Sequence, residues 1–241
     1  MKRLAFLLVA LPLAAHAGGS NYGIAPGARP DLAGKVSEWP VPTPRFARDP
    51  AIAPDGSVYI AVMSGNKVAS LQTRTGSIKE YPSSGGPYGL ALDRAGNVWF
   101  CRMGDNKMGR LDPTSGQMAE VDMGRDSLPR RVAAAPDGML WIALYGNGKL
   151  AKLDPVSMKV VKTYQLPAGD GGPYAVTVDG GGMVWANEIK TDTVVRLDPK
   201  TEQMRVVNLP SKNVGIRKMV VDANGRLWYM GSHNGRLGVV E

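Results

Sequence analysis

The stretch Pro87-Tyr88-Gly89-Leu90-Ala91-Leu92-Asp93-Arg94-Ala95-Gly96-Asn97-Val98-Trp99-Phe100 decides the fold. An apolar run enters a turn built on Asp and Gly, and the chain leaves that turn on an apolar residue followed by Trp. Such a pattern predicts strand, tight turn, strand. The unit recurs. Asp55-Gly56-Ser57-Val58-Tyr59 and Asp137-Gly138-Met139-Leu140-Trp141 are shorter copies. Asp179-Gly180-Gly181-Gly182-Met183-Val184-Trp185 and Asp222-Ala223-Asn224-Gly225-Arg226-Leu227-Trp228 complete the set. The aromatics at 59, 99, 141, 185 and 228 stand 40, 42, 44 and 43 residues apart. A period in this range, with several short strands in each period, predicts a β-propeller.

Every repeat carries the same signals. Its first strand is short and rich in Ala and Val, as in Val132-Ala133-Ala134, which suits the crowded axis of a propeller. The second strand bears the aromatic. Hairpin steps such as Gly65-Asn66 and Gly146-Asn147-Gly148 then supply residues that accept positive φ. The third strand ends in Leu-Asp-Pro at 111–113, 153–155 and 197–199, where Pro stops the ladder and Asp can cap the turn. A fourth strand closes the unit. The last repeat stops after its third strand, whereas residues 35–40 read as a fourth strand with no repeat before it. The expectation is an all-β propeller of five four-stranded blades over 35–241, closed by that N-terminal strand pairing with the last blade. Such a pairing would leave no open edge and fits a complete ring.

The chain begins with Met1-Lys2-Arg3, an apolar run from Leu4 to Leu13, and Ala15-His16-Ala17. These are the parts of a secretory signal peptide cleaved after Ala17. The apolar run is too short to span a bilayer. Residues 18–34, rich in Gly, Ala and Pro without periodicity, read as a flexible arm. Loss of Lys2 and Arg3 lowers the formal charge from +8 to +6. This balance favours acidic ligands. No run of clustered Lys and Arg points to nucleic acid. Cys101 is the single cysteine, so no intramolecular disulfide forms, and no Cys-x-x-Cys-His points to covalent haem. A soluble monomer in the periplasm or medium is expected, with no membrane insertion.

Antiparallel pairing puts the residue entering each first strand beside the end of the second, at one rim of the channel. Aligned on the turn Asp, the entry ring is Arg48, Tyr88, Arg130, Tyr174 and Arg217. Guanidinium forks match carboxylate or phosphate, and phenols add stacking faces. The ring therefore reads as a site for an acidic or peptide-like small molecule. It reads equally as a plug of the mouth. Glu188 is the one carboxylate three residues past an aromatic, a candidate general base, a metal ligand, or the partner of Arg130 or Arg217. His233 lies on a turn of the same rim, a candidate acid/base or a solvated histidine. Cys101 shares a strand face with Trp99 and should be buried and inert.

Gly86-Pro87-Tyr88-Gly89-Leu90-Ala91-Leu92-Asp93, Asn97-Val98-Trp99-Phe100 and Gly109-Arg110-Leu111-Asp112-Pro113 resemble the repeat of the streptogramin (virginiamycin B) lyase family. Gly172-Pro173-Tyr174, Val184-Trp185 and Arg196-Leu197-Asp198-Pro199 repeat the likeness, which extends over about residues 35–241. The resemblance implies a Mg2+-assisted carbon–oxygen lyase that opens the lactone of a cyclic depsipeptide by elimination. It implies histidines at the entry positions, where this chain has Tyr88, Tyr174 and the arginines, and glutamates on the rim, of which Glu188 matches. It also implies seven blades rather than five. Four readings follow: a ligand-binding propeller without the family chemistry, an active lyase using Glu188 and His233 with Mg2+, a lactone-hydrolysing propeller built around Asn187 and Glu188, and a protein-interaction platform in the cell envelope.

Overall fold

The computed structural model describes residues 37–43 and 46–241. The expected leader, the arm and the first two residues of the opening strand lie outside that range. The described residues form a five-bladed β-propeller. Blade 1 runs β1 (Ala47–Ile52), β2 (Val58–Val62), β3 (Lys67–Gln72) and β4 (Ser77–Pro82). Blade 2 holds β5 (Pro87–Leu92), β6 (Val98–Arg102), β7 (Lys107–Leu111) and β8 (Met118–Asp122). In blade 3 these places fall to β9 (Pro129–Ala134), β10 (Leu140–Leu144), β11 (Lys149–Asp154) and β12 (Lys159–Gln165). Blade 4 comprises β13 (Pro173–Val178), β14 (Val184–Glu188), β15 (Thr193–Leu197) and β16 (Met204–Asn208). The last blade has β17 (Ile216–Val221), β18 (Leu227–Gly231) and β19 (Arg236–Val240). All neighbours within a blade pair antiparallel in sequence order.

The expected closure is corrected. Ser37 through Val41 take no strand, and the last sheet has three strands among the described residues. The segment before β1 docks on the first blade instead. Thr43 gives its N–H to Glu80 Oε1 at 2.8 Å and its hydroxyl to Glu80 Oε2 at 3.0 Å. The Trp39 indole lies so close to Gly76 that a Cβ there would meet its Nε1 at 2.9 Å. Glu80 and the turn at Gly76 thus hold this segment on blade 1.

The blades hold together through the aromatic strand. Period-two alternation sends one face of each second strand to the blade before and the other to the blade after. Tyr59 shares one core cluster with Leu90, Val98 and Phe100 of blade 2, and Trp99 shares another with Leu140, Ile142 and Leu153 of blade 3. Trp141 clusters with Val176, Val184 and Val195 of blade 4, and Trp185 with Ile216, Leu227 and Tyr229 of blade 5. Cys101 is buried beside Trp99, as expected, and its burial pushes the thiol well up. Trp228 occupies the same place on blade 5, but its face is uncovered: Val220, Met230, Leu237 and Val239 beside it are 40–63% exposed. The inner strands pack in the order β1, β5, β9, β13, β17, while β17 and β1 share no comparable packing.

The turn aspartates do more than turn the chain. Asp93 accepts N–H bonds from Ala95 and Asn97, both at 2.9 Å, and the indole N–H of Trp99 at 2.8 Å. Asp179 and Asp222 take the indoles of Trp185 and Trp228 at 3.1 and 2.9 Å. The Trp228 indole, helped by the Arg226 backbone and side chain, holds the Asp222 carboxyl far below the usual carboxylate range. At the Leu-Asp-Pro ends, Asp112, Asp154 and Asp198 each cap the N–H two residues on, at 2.8–2.9 Å.

Candidate functional site

Each inner strand carries a register shift at its entry: between Ala47 and Pro50 in β1, Pro87 and Leu90 in β5, Pro173 and Val176 in β13, and Ile216 and Met219 in β17. In β9 the irregularity falls at Arg130, between the pairs Arg131–Ala143 and Pro129–Leu144. A bulge re-aims side chains and breaks strict alternation. Consecutive residues therefore gather at the mouth, and the predicted ring is wider than its five members. Gly89 follows Tyr88 because β9 passes so close that a Cβ would meet Arg130 O at 2.7 Å and Arg131 Cα at 2.9 Å.

Tyr88 from blade 2 and Tyr174 from blade 4 are buried and hydrogen-bonded to each other through their hydroxyls. Their rings meet edge to face at 6.1 Å, and Tyr145 meets Tyr174 in the same way at 6.2 Å. Guanidiniums surround this aromatic centre. Arg48 stands 4.7 Å from the Tyr88 ring. Arg130 lies 4.3, 5.1 and 5.5 Å from Tyr145, Tyr174 and Tyr88. Arg131 is 5.1 Å from Tyr88, and Arg217 is 5.9 Å from Tyr174. All five predicted ring residues thus come together. Arg131, Asp49 and Tyr145 belong with them, although only the entry position itself was aligned in the sequence. Arg131 is ion-paired to Asp49 and gives its Nε–H to the Arg217 carbonyl at 3.4 Å, so one side chain ties blades 1, 3 and 5.

Among the described residues, Arg48, Arg130 and Arg217 have no carboxylate partner, and the Nε donors of Arg48 and Arg130 are buried without an acceptor. Of these three, Arg217 lines a cavity of about 110 Å³, together with Asp49, Leu90, Arg131 and Val176, so that all five inner strands contribute to its wall. Bulk water takes roughly 30 Å³ per molecule, so this space suits a compact polar group.

A family model described as the virginiamycin B lyase family matches residues 26–241. The chain belongs to this family. A virginiamycin B lyase of Nocardia farcinica is 36% identical over 94 residues, a stretch that is 36% of this chain and 32% of that protein. The chain therefore aligns with about a third of this curated relative. Among solved structures, a catalytically inactive virginiamycin B lyase from Staphylococcus aureus with quinupristin superposes with a TM-score of 0.82 at 23% identity, over 88% of this chain and 72% of that one. A streptogramin B lyase structure gives 0.81 at 23% identity, over 88% and 71%. At these identities the likeness speaks to the fold.

The remaining candidates make no hydrogen bond or ion pair with the ring residues among the described residues. Glu188 is buried, with Oε1 accepting the Ala168 N–H at 2.9 Å and Oε2 the Thr193 hydroxyl at 3.0 Å. Neither Arg130 nor Arg217 pairs with it among the described residues. Gly171 presses against it, since a Cβ there would meet Glu188 Oε1 at 2.8 Å. Its oxygens hold the loop between blades 3 and 4. Asn187, its neighbour, accepts the Ala175 N–H at 2.7 Å and donates to the Ile216 carbonyl at 3.0 Å, tying β13 to β17. His233 is exposed, its Nδ1 3.1 Å from Asn213 Oδ1. Among the described residues no hydrogen bond or ion pair joins it to Glu188. The Mg2+ that the family implies wants several hard oxygen donors facing one point. Each Glu188 oxygen already accepts a hydrogen bond from the protein, and no three His, Cys, Asp or Glu gather among the described residues. The residues present do not fit that ion.

Proposed function

We propose that this family member is an exported propeller that captures a small molecule, acidic or peptide-like, by a compact anionic group at the channel mouth. The observation that carries this reading is the set of Arg48, Arg130 and Arg217 without carboxylate partners among the described residues, two of them with buried and unmet Nε donors. A buried donor left unpaired costs about 1–3 kcal/mol, more when charged. An anion seated between these forks would remove that cost, and the three tyrosine faces would flank an attached ring or peptide plane. Export rests on the Met1–Ala17 sequence.

The test is calorimetric titration with succinate as a probe anion, in the protein and in Arg130→Ala/Arg217→Ala. Each charge-assisted contact is worth roughly 1.5–3 kcal/mol, so the double variant should lose about two orders of magnitude or more in affinity. Binding should also weaken with added salt. An affinity that the double variant leaves unchanged overturns the reading. A second expected result concerns the family chemistry. Since the donors do not fit Mg2+, incubation with a type B streptogramin and Mg2+ should leave the lactone closed by mass spectrometry. A linearised product that vanishes with EDTA would return Glu188 and His233 to the centre of the problem.

A further inference from the structure

Two phenols in hydrogen-bond contact inside a cluster of guanidiniums form an unusual pair. The charged and titratable groups that face them come from every neighbouring element. Arg48 and Asp49 lie on β1, Arg130 and Arg131 on β9, and Arg217 on β17, with Tyr145 just past β10 and Lys190 5.9 Å from the Tyr145 ring. Asp49 is spent on Arg131, so the surplus around the phenols is positive. A phenolate here would find guanidinium charge around its ring and a phenol O–H at its oxygen.

We propose that Tyr88 supplies this site with a built-in anion, which an external anion displaces from the arginine cluster with the uptake of one proton. The inference rests on the reading of the mouth as an anion site and adds its regulation. Where Tyr88 is ionised, its Oη⁻ accepts the Tyr174 O–H and lies in the field of Arg48, Arg130 and Arg131. When a carboxylate takes the guanidinium N–H groups, the phenolate loses that stabilisation. A proton from solvent then forms the O–H bond of Tyr88, and no other bond changes. The two phenols differ in the direction this requires. Burial pushes Tyr88 up, but the Tyr174 hydroxyl and the three guanidiniums more than offset it and bring it below the ordinary tyrosine range. Burial, the hydrogen bond to Tyr88 and the Tyr88 charge push Tyr174 above it. Two interacting groups lose their protons in separate steps that belong to the pair.

The sign follows by linkage. Binding takes up a proton wherever Tyr88 is ionised, so affinity falls as pH rises past the first step, by up to about tenfold per pH unit. Succinate keeps its charge across the alkaline range and serves as the probe. Two measurements on the whole protein decide the matter. Near-ultraviolet phenolate absorbance followed against pH should show one of the eight tyrosines ionising ahead of the rest. Tyr88→Phe should remove that step, Tyr145→Phe should keep it, and saturating succinate should move it to higher pH. Calorimetry of succinate at two alkaline pH values, in buffers of different ionisation enthalpy, should show proton uptake in the protein and none in Tyr88→Phe. An absent early step, or one that survives Tyr88→Phe, overturns the proposal. Succinate that binds without proton uptake overturns it and leaves the anion site standing, whereas succinate that fails to bind overturns the anion site itself.

Discussion

Trp99→Ala is expected to cost about 3–5 kcal/mol, read as a fall in the urea midpoint. The side chain is fully buried between blades 2 and 3, and its indole N–H is bonded to Asp93 Oδ2. Removing it leaves a cavity against Leu140, Ile142 and Leu153 and deprives the buried Asp93 of one partner. A domain of this size has a margin of roughly 5–15 kcal/mol, so the loss is a large share of the whole. The same change at Trp228 is the internal control. Its indole makes the same bond to Asp222, but the face it covers is open to solvent. Trp228→Ala should therefore cost less than half as much. Equal losses at the two positions would mean that the indole–carboxylate bond, rather than packing against the next blade, carries the repeat.

This contrast also shows how far the sequence reading reaches. Blade count, strand order and the turn chemistry depend on local signals, and each repeat states them again, so they were legible. The entry ring was legible for the same reason, because Arg48, Tyr88, Arg130, Tyr174 and Arg217 occupy one position of an aligned repeat. What was not legible depends on non-local geometry. The bulges at the strand entries bring Asp49 and Arg131 to the mouth, and strict alternation would have turned them away. The fate of Glu188 depends on the loop at 166–172, whose Ala168 N–H takes one of its oxygens. A missing and a spare strand predict closure by residues 35–40, yet Glu80 and the turn at Gly76 hold the chain on blade 1. Asp and Trp stand six apart in the repeats at 93, 179 and 222 and four apart at 137, and the indole–carboxylate bond forms in the longer turns.

Arg131 and Asp49 offer the other large effect. Their side chains are 13% and 24% exposed, and no other ion pair among the described residues joins two inner strands. Asp49→Ala leaves a mostly buried guanidinium without its partner. The expected cost is about 2–4 kcal/mol, somewhat below the ~3–5 of a fully buried pair because Asp49 keeps some solvent. Arg131→Met should cost less, since the methionine stem fills space beside Val132 and leaves a carboxylate that water can reach. The double variant Asp49→Ala/Arg131→Met should recover part of the loss, because two charges no longer need to be desolvated. A double-mutant cycle by chemical denaturation measures the coupling directly. Binding supplies a second readout with the opposite sign. Asp49→Asn frees the Arg131 fork while keeping the shape of the side chain, so the mouth gains a positive charge as the fold weakens. Succinate affinity should rise in this variant, and the early phenolate step should move to lower pH. If affinity falls instead, Asp49 serves to aim Arg131 at the ligand, and the ion pair belongs to the binding geometry rather than opposing it.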